Sequence, residues 1–483
     1  MTAPLPRMES VSEALRDALP ARGLRFPPNV DTYRHDMARW IVGGEPFAVA
    51  LPRTTDEVQA VMRIAAASGT PVVPRGAGSG LSGGATAIDG CIVLSLELMD
   101  QVLEIDRENQ TVLLEPGVIN SDVSMAVRDL GLWYPPDPAS LEFSTIGGNV
   151  ATNAGGMCCI KYGVTRDYVL GLEVVLADGR VLNTGRNTIK GVAGYDLTSL
   201  FVGSEGTLGV ITKIRLRLRT APPSARTVAA FFPTLATAGD AVRRIAAAGV
   251  TPSMLEIMDR HTITAVDEWK RMDLDRSAGA LLIAQSDAGD GQSEIEVDQI
   301  GLACTSAGAS SVTVSTDPIE AEQLLLVRRL ALPALERQGS ILLDDIGVPR
   351  SRIPELLEEI EVIAARHDVV VGTFGHAGDG NMHPTIVYDA ADPDETVAAQ
   401  AAFDEIVRAA VLLDGTVTGE HGVGLLKRAY LEQEIGAVAV DTMRVIKTSL
   451  DPLGILNPGK ALATPRPAPA VVATSPEARS ADA

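Results

Sequence analysis

The feature that most constrains this chain is one glycine-rich run, Arg75-Gly76-Ala77-Gly78-Ser79-Gly80-Leu81-Ser82-Gly83-Gly84. Within it, Gly78, Gly80 and Gly83 satisfy the G-x-G-x-x-G spacing. A Rossmann loop with that spacing must lead from a strand into an amphipathic helix. Here the segment that follows, residues 91–96, is apolar and β-branched, which predicts a strand. The run therefore disfavours a nicotinamide dinucleotide site.

The glycine-rich run can nevertheless bind an anion. Consecutive glycines let backbone N–H groups converge on a negative charge without interference from Cβ atoms. Further clusters of glycine follow within residues 147–163 and 203–209, between segments that we predict to be strands. A flexible loop is the alternative explanation for a single cluster. Three clusters in one domain favour a long ligand that lies along the backbone.

Helix and strand patterns alternate along the chain. Residues 55–68 predict a helix that Thr54 or Thr55 caps and Gly69 ends. At 483 residues the length suggests two to three domains. The sequence pattern changes at Pro222-Pro223, where we place a domain boundary. We predict an N-terminal segment (1–44), a first domain (45–223), a second domain (224–410), a C-terminal segment (411–463) and a Pro-, Ala- and Ser-rich disordered tail (464–483).

Composition excludes several classes of function. The chain has 41 basic and 62 acidic residues, a net charge of −21, which argues against binding to nucleic acid. No stretch reaches the roughly 20 apolar residues of a transmembrane helix, and the N-terminus lacks the apolar core of a signal peptide. The four cysteines form neither a disulfide framework nor a metal-type pair. These features predict a cytoplasmic protein and leave peripheral membrane attachment open.

Three of the six histidines lie in two glycine-framed segments, 375–383 and 419–424. Two imidazoles and one carboxylate are a recurrent divalent-metal set, which His376, His383 and Glu420 can supply, with zinc favoured over manganese or iron. His421 remains as a general base, a role for which histidine is suited. Glu420 could instead only orient His421. The framing glycines predict tight, exposed turns.

Four segments carry a resemblance to a known family: Pro74–Gly80, Ile146–Gly156, Gly194–Leu197 and Val202–Gly209. They resemble the FAD domain of vanillyl-alcohol-oxidase-type FAD-linked oxidoreductases. Within that family the chain is similar to the branch of the glycolate oxidase D subunit, D-lactate dehydrogenase and D-2-hydroxyglutarate dehydrogenase. The resemblance covers residues 30–460. It implies an α+β fold with a two-part FAD-binding domain of the PCMH type, an α+β cap domain and a helical C-terminal segment that returns to the flavin.

The resemblance also assigns cofactor-binding positions, and it implies three groups of them. The pyrophosphate would contact Arg75, Gly76, Ala77, Gly78, Ser79 and Gly80, the flavin and ribityl chain Pro138, Ser140, Gly147, Gly148, Asn153 and Gly155, and the adenosine end Glu205, Gly206 and Ile211. Asn457 and Lys460 match a closing motif near the flavin ring. Relatives with covalent flavin often carry histidine at the position of Ser79, so FAD should be bound non-covalently here.

The implied reaction is FAD-dependent oxidation of a short D-2-hydroxy acid, with His421 as base and metal-dependent relatives using the matching ligand positions. Arg328 matches the family's carboxylate-binding arginine, although it could be a solvated helix residue and Arg329 competes for the role. Leu332 and Leu343 stand where hydroxyglutarate-type relatives carry a hydroxyl and an ammonium group. This difference favours D-lactate or glycolate over D-2-hydroxyglutarate.

Two other classes of function remain as alternatives at this stage. A metal-dependent hydrolase could use the same histidines and glutamate, with the glycine loops as phosphate sites. A non-catalytic flavin-binding protein could use the loops alone. For the enzyme, the electron acceptor is left open between a quinone, a cytochrome, an electron-transfer flavoprotein and partner subunits.

Overall fold

The computed structural model describes residues 5–188, 190–289 and 291–463. The predicted disordered tail, 464–483, lies outside the described residues.

The first half of the first domain is a small sheet with helices packed on it. Its elements are α1 (Leu5–Ala18), β1 (Leu24–Arg25), β2 (Ala48–Ala50), α2 (Thr55–Ser68), β3 (Val72–Arg75) and β4 (Ile92–Ser95), in the strand order β1-β2-β4-β3. Helix α2 has the predicted limits, because Thr54 Oγ1 accepts a hydrogen bond from Glu57 N at 3.2 Å and Gly69 takes a left-handed conformation. The glycine-rich run connects β3 to the parallel strand β4, as the sequence predicts.

The second half of this domain is an antiparallel sheet. Its elements are β5 (Val102–Asp106), β6 (Thr111–Leu114), α3 (Asn120–Val127), β7 (Leu132–Trp133), α4 (Ile146–Thr152), α5 (Cys159–Tyr162), β8 (Val169–Val175), β9 (Val181–Asn183), α6 (Leu197–Phe201), β10 (Val210–Arg217) and β11 (Arg219–Thr220). The main strand order is β5-β6-β10-β8-β9, and β11 pairs with β7. The buried faces of β6, β8 and β10 form one apolar core with α3 and α4.

The second domain is a large antiparallel sheet covered by helices. Its elements are β12 (Arg226–Phe232), α7 (Leu235–Ala247), β13 (Met254–Asp259), α8 (Arg260–Lys270), β14 (Ala280–Ser286), α9 (Gln292–Ser306), β15 (Ser311–Ser315), α10 (Pro318–Arg329), α11 (Ala331–Glu336), β16 (Ser340–Leu343), β17 (Ile346–Gly347), α12 (Ile353–His367), β18 (Val370–His376), β19 (Asn381–Tyr388) and α13 (Pro393–Leu412). The strand order is β15-β12-β14-β13-β18-β19-β16, and β17 also pairs with β19. Helices α7, α9, α12 and α13 contribute to one apolar cluster, and α8 and α11 to another.

The C-terminal segment returns to the first domain. It contains α14 (Leu431–Ile435) and α15 (Ala437–Leu450). Beyond them, Val72 N donates to Ile455 O and Asn457 N donates to Val72 O, both at 2.7 Å, so this segment lies beside β3 and the start of the glycine-rich run. This architecture confirms the predicted α+β fold. No helix in the described ranges combines the length and apolar character needed to span a membrane.

Candidate active site

Two of the predicted metal ligands lie on one β-hairpin. His376 ends β18, and His383 lies in β19 directly opposite Phe374. Alternate residues of a strand share a face, so His376 and Phe374 point to the same side as His383. Both histidines are buried, which corrects the expectation of exposed turns, since only the connection 377–380 is a turn. The strand pairing brings together two side chains that are seven positions apart in sequence.

The other two predicted residues, Glu420 and His421, lie in the irregular segment between α13 and α14. Their backbone N–H groups donate to Asp345 Oδ2 at 3.0 and 2.8 Å. Thr418 Oγ1 donates to the same oxygen at 2.7 Å. Asp345 is fully buried next to β17, so its carboxylate fixes the backbone that presents Glu420 and His421.

The three imidazoles converge on one carboxylate oxygen of Glu420. Glu420 Oε1 lies 3.2 Å from His376 Nε2, 3.4 Å from His383 Nε2 and 3.7 Å from His421 Nε2. The ligand atoms that His376, His383 and Glu420 offer lie within 4.8 Å of one another. Two imidazole nitrogens and one carboxylate oxygen in such a group fit a divalent cation such as zinc, manganese or iron. The donor set that the sequence predicts is therefore assembled in space.

A second set of potential ligands shares one member with the first. Asp345, His383 and His421 also offer ligand atoms within 4.8 Å of one another. In this set the imidazoles present Nδ1, at 3.8 and 3.9 Å from the Asp345 carboxylate. His383 Nδ1 is buried without a hydrogen-bond partner among the described residues. His383 therefore has Glu420 on its Nε2 side and Asp345 on its Nδ1 side.

A buried ion pair stands behind His376. Glu256 Oε1 lies 2.7 Å from His376 Nδ1, and Arg328 Nε donates to Glu256 Oε2 at 2.5 Å. Glu256, in β13, is 1% exposed, and the Arg328 guanidinium carbon lies 4.8 Å from the Phe374 ring centroid. A carboxylate on Nδ1 orients the ring and directs Nε2 towards the cluster, as in carboxylate–histidine–metal arrangements. Sequence reasoning did not identify Glu256.

The electrostatics of the cluster favour a negative carboxylate. Burial raises the pKa of Glu420, but His376, His383 and His421 outweigh it and bring this pKa to about 2. Burial lowers the pKa of His376, but Glu256 and Glu420 raise it well above its usual value. Burial lowers the pKa of His383, and the neighbouring His376 and His421 lower it further. Glu420 is thus an anion and His383 is neutral, whereas His376 is protonated and must give up its Nε2 proton to ligate a cation.

Asp345 is itself held by a buried lysine. Lys427 Nζ lies 2.8 Å from Asp344 Oδ1 and donates to Asp345 O at 2.6 Å and Val417 O at 2.7 Å. Asp344, Asp345 and Lys427 are each about 1% exposed or less. The sequence contains one signal for the buried carboxylates that it did not assign to the site: Asp344-Asp345 and Glu256 each interrupt an apolar run. Carboxylates at such positions are rarely buried unless they are paired.

One cavity has both the glycine-rich run and part of the cluster in its wall. It has a volume of about 450 Å³ and includes Glu420 and His421 in its lining. Most of the predicted cofactor-binding residues line it. These are Arg75, Gly76, Ala77, Gly78, Ser79, Gly80, Pro138, Ser140, Gly147, Gly148, Glu205, Gly206 and Ile211.

The backbone around this cavity fits a phosphate-containing cofactor. Within the described part of the chain, no backbone N–H group of residues 77–84 donates to another protein group. Carbonyl groups of the same run are used instead, since Gly80 O accepts from Met37 N and Ser82 O from Leu425 N. A Cβ on Gly76 would lie 2.3 Å from Thr145 Oγ1, and one on Gly147 2.5 Å from Pro116 Cβ. These glycines allow close packing of the walls and leave a row of donors for an anion.

Four of the predicted cofactor residues do not line the cavity. Asn457 Nδ2 donates to Gly84 O at 2.9 Å and to Glu205 O at 2.7 Å. Lys460 Nζ donates to Thr86 O at 2.6 Å. Both side chains therefore support the glycine-rich run from behind.

The remaining two residues flank other parts of the site. Asn153 ends α4 in a left-handed conformation and accepts from Arg166 N at 2.9 Å. Gly155 adjoins the cluster, because a Cβ there would lie 2.6 Å from Glu420 Oε2. Arg75 lines the cavity, but its Nη1 donates to His35 O at 2.9 Å. Its guanidinium group therefore contributes to holding the loop.

Part of the cavity wall is formed by the second domain. Arg329, Leu332, Pro333 and Glu336 line it, whereas Arg328 and Leu343 do not. The sequence left Arg328 and Arg329 as competitors, and the two differ in environment: Arg328 is buried against Glu256, and Arg329 is exposed. Which of two adjacent arginines faces a ligand depends on the rotation of α10, and no motif specifies that.

Family models match nearly the whole folded chain. Residues 46–185 match the model described as "FAD binding domain", and residues 221–461 match "FAD linked oxidases, C-terminal domain". The first match contains the first two glycine clusters, and the second contains the histidine and glutamate cluster. The fold and the site thus define a flavin-dependent oxidoreductase with FAD as its cofactor.

Similarity to known proteins narrows this class. The chain is 44% identical over 419 residues to "Glycolate oxidase subunit GlcD" of Bacillus subtilis (strain 168), covering 86% of this chain and 89% of that protein. It is 37% identical to "Probable D-lactate dehydrogenase, mitochondrial" of Danio rerio, covering 86% and 84%. A D-lactate dehydrogenase of Anaerostipes hadrus is 35% identical, covering 93% and 96%. The chain belongs to the FAD-linked oxidase family, in the branch of these glycolate oxidase subunits and D-lactate dehydrogenases.

Solved structures agree on the fold. A 4-ethylphenol oxidase from Gulosibacter chungangensis superimposes with a TM-score of 0.78 at 21% identity, covering 96% of this chain and 98% of that one. A p-cresol methylhydroxylase gives the same TM-score at 19% identity, covering 95% and 98%. The predicted fold is thereby confirmed.

Proposed function

We propose that this protein oxidises a short D-2-hydroxy acid, with D-lactate or glycolate favoured, to the corresponding 2-oxo acid. One observation carries the proposal: Glu420 and His421 line the same cavity as the glycine-rich run. A group able to take a proton thus shares a space with the FAD site. The names of the relatives, glycolate oxidase subunit and D-lactate dehydrogenase, support this substrate class.

The reaction removes a proton and a hydride from the same substrate carbon–oxygen unit. His421 is the general base, and its Nε2 takes the hydroxyl proton. The Cα–H bond breaks as the C=O bond forms, and FAD, when bound, supplies the acceptor for that hydride. Asp345 holds the backbone N–H of His421 at 2.8 Å and so positions this base.

His376, His383 and Glu420 would hold a divalent cation, with zinc favoured and manganese or iron as alternatives. Such a cation, when bound, supplies Lewis acidity that lowers the pKa of a hydroxyl group. The arrangement of this chain's residues supports the assignment, since Glu256 orients His376 and leaves Nε2 for the cluster. Glu420 Oε1 also lies closer to His376 and His383 than to His421, which favours a ligand role over a role that only orients His421.

The substrate carboxylate is proposed to bind Arg328, with Arg329 as the alternative. Arg328 contacts Glu256, whereas Arg329 lines the cavity and pairs with Glu322 at 2.7 Å. Steady-state kinetics of Arg328→Lys and Arg329→Gln distinguish the two. The carboxylate-binding residue is the one whose variant raises KM for D-lactate by the larger factor. Loss of cluster-bound metal in Arg328→Lys alone would instead identify Arg328 as a positioning residue behind Glu256.

The test of the function is anaerobic reduction of the bound flavin. Purified holoenzyme is mixed with D-lactate, glycolate, L-lactate or D-2-hydroxyglutarate while the visible flavin absorbance is followed. Rapid bleaching by D-lactate or glycolate, and slow bleaching by the others, is expected. A flavoprotein that bleaches with none of them overturns the proposal and favours a non-catalytic flavin protein. A protein without flavin that hydrolyses phosphate esters in a metal-dependent way would identify it as a hydrolase.

A further inference from the structure

One face of the α10–α11 segment lines the same cavity as the glycine-rich run. Arg329, Leu332, Pro333 and Glu336 line the cavity and follow the spacing i, i+3, i+4, i+7. Leu330, between the two helices, keeps helical dihedral angles, so these four side chains form a single stripe. The middle of the stripe is apolar, with one cation at its start and one anion at its end.

Besides His421, the cavity lining contains five charged side chains: Arg75, Glu205, Arg329, Glu336 and Glu420. Arg75 donates to His35 O, and Glu205 accepts from Val423 N and Gly424 N at 2.8 Å. Glu420 lies among the histidines of the cluster. Arg329 already pairs with Glu322, so part of its charge is compensated.

Glu336 is the exception among these groups. It is exposed and, within the described residues, it makes no ion pair. Apart from Arg75 and Arg329, the cavity lining contains no arginine or lysine. A ligand that reaches along the apolar part of the stripe therefore meets a carboxylate.

We propose that Glu336 determines substrate specificity by excluding hydroxy acids with a second carboxylate. This inference rests on the proposed function and narrows its substrate class to 2-hydroxy monocarboxylic acids with a short apolar tail. Leu332 and Pro333 offer the tail an apolar contact, which strips water from any charge placed there. Glu336 then adds like-charge repulsion, which Arg329, already paired with Glu322, offsets only in part.

The expected size of the effect follows from the exposure of Glu336. Two like charges about 8 Å apart in largely solvated surroundings repel each other. At low salt, this repulsion should lower the diacid-to-monoacid ratio of kcat/KM about three- to tenfold. Because solvent and ions reach the site, this factor should shrink as the ionic strength rises. A purely steric filter would show no such dependence on salt.

The experiment compares kcat/KM for D-2-hydroxyglutarate and D-lactate in the wild-type holoenzyme, Glu336→Gln and Glu336→Lys. The diacid-to-monoacid ratio should rise about three- to tenfold in Glu336→Gln and further in Glu336→Lys, mainly through KM of the diacid. If turnover of the diacid is too slow to measure, its inhibition constant against D-lactate oxidation replaces kcat/KM. The wild-type ratio should rise with added NaCl, and Glu336→Gln should lose that dependence.

Glu358→Gln is the matched control, because Glu358 is an exposed glutamate on α12 that does not line the cavity. It changes the net charge equally, and its ratio should stay at the wild-type value. A ratio that is unchanged in both Glu336 variants, or that rises equally in Glu358→Gln, overturns this inference alone. Absence of flavin bleaching with every 2-hydroxy acid overturns the proposed function as well, so the two failures are distinguishable.

Discussion

The Glu256→Gln substitution tests whether the ion pair behind His376 matters for the metal centre. Glutamine preserves the shape of glutamate but replaces one acceptor oxygen by an NH2 donor. Glu256 has two partners, His376 Nδ1 at 2.7 Å and Arg328 Nε at 2.5 Å. If the amide oxygen faces Arg328, its NH2 group faces His376 Nδ1 and requires the imidazole proton to lie on Nε2. If the oxygen faces His376, two donors face each other at Arg328.

Either orientation of the glutamine amide should weaken metal binding, and the expected loss of metal affinity can be bounded. A proton fixed on Nε2, which lies 3.2 Å from Glu420 Oε1, takes up the lone pair that would ligate the cation and so removes one ligand. Loss of a carboxylate that orients a ligating histidine typically reduces metal affinity about 10- to 100-fold. Glu256 does not line the cavity, so the flavin content should stay at the wild-type level. The expected result is a metal-poor enzyme with intact flavin and reduced kcat/KM.

The assay is calorimetric titration of zinc into chelator-treated holoenzyme, with flavin absorbance recorded on the same sample. Glu322→Gln provides the control, because it also removes a glutamate–arginine pair, but one whose glutamate side chain is 63% exposed. Exposed pairs contribute about 0–1 kcal/mol, so zinc affinity should not change there. Zinc affinity within twofold of wild type in Glu256→Gln would refute the reasoning. A loss of flavin in parallel with the loss of zinc would instead indicate general unfolding.

Further predictions follow from other parts of the structure. Chelation should abolish turnover without releasing flavin, a divalent cation should restore it, and His376→Ala should resemble the chelated enzyme; full activity in that variant would contradict the ligand assignment. Acid or heat should release intact flavin, since Ser79 offers no covalent link, and flavin retained on the denatured polypeptide would disprove this. Gly147→Ala should lower the flavin content, because its Cβ would lie 2.5 Å from Pro116 Cβ, whereas Gly301→Ala, with 3.6 Å to its nearest neighbour, should not. Lys427→Met should lower the thermal midpoint strongly, since breaking a buried ion pair costs about 3–5 kcal/mol, and an unchanged midpoint would show that Asp344 needs no partner.

Local signals in the sequence were enough for the glycine-rich run and for the histidine and glutamate motifs. The run had to connect a strand to another strand, because the six residues from 85 to 90 are too few for an amphipathic helix before the apolar segment at 91–96 begins. Helix α2 was equally local, since Thr54 and Gly69 mark its ends by their own backbone chemistry. His376, His383 and Glu420 were recognisable because their residue types can ligate a metal wherever the chain brings them together.

Other parts of the site depended on contacts between distant segments. Glu256 lies 120 positions before His376, and only the pairing of β13 with β18 makes them neighbours. The same holds for Asp345, which lies 76 positions before His421. Sequence patterns report the preference of each residue for a helix, a strand or burial, but not which strand will be its neighbour.

The orientation of side chains within an element was also decided by tertiary packing. Arg328 and Arg329 are adjacent in sequence, yet one is buried against Glu256 and the other faces the cavity. Leu332 lines the cavity, but Leu343, to which the sequence comparison gave the same role, does not. A motif identifies chemistry because the side chain carries it, whereas access to a ligand depends on the rotation of each element, which the packing of the whole domain sets.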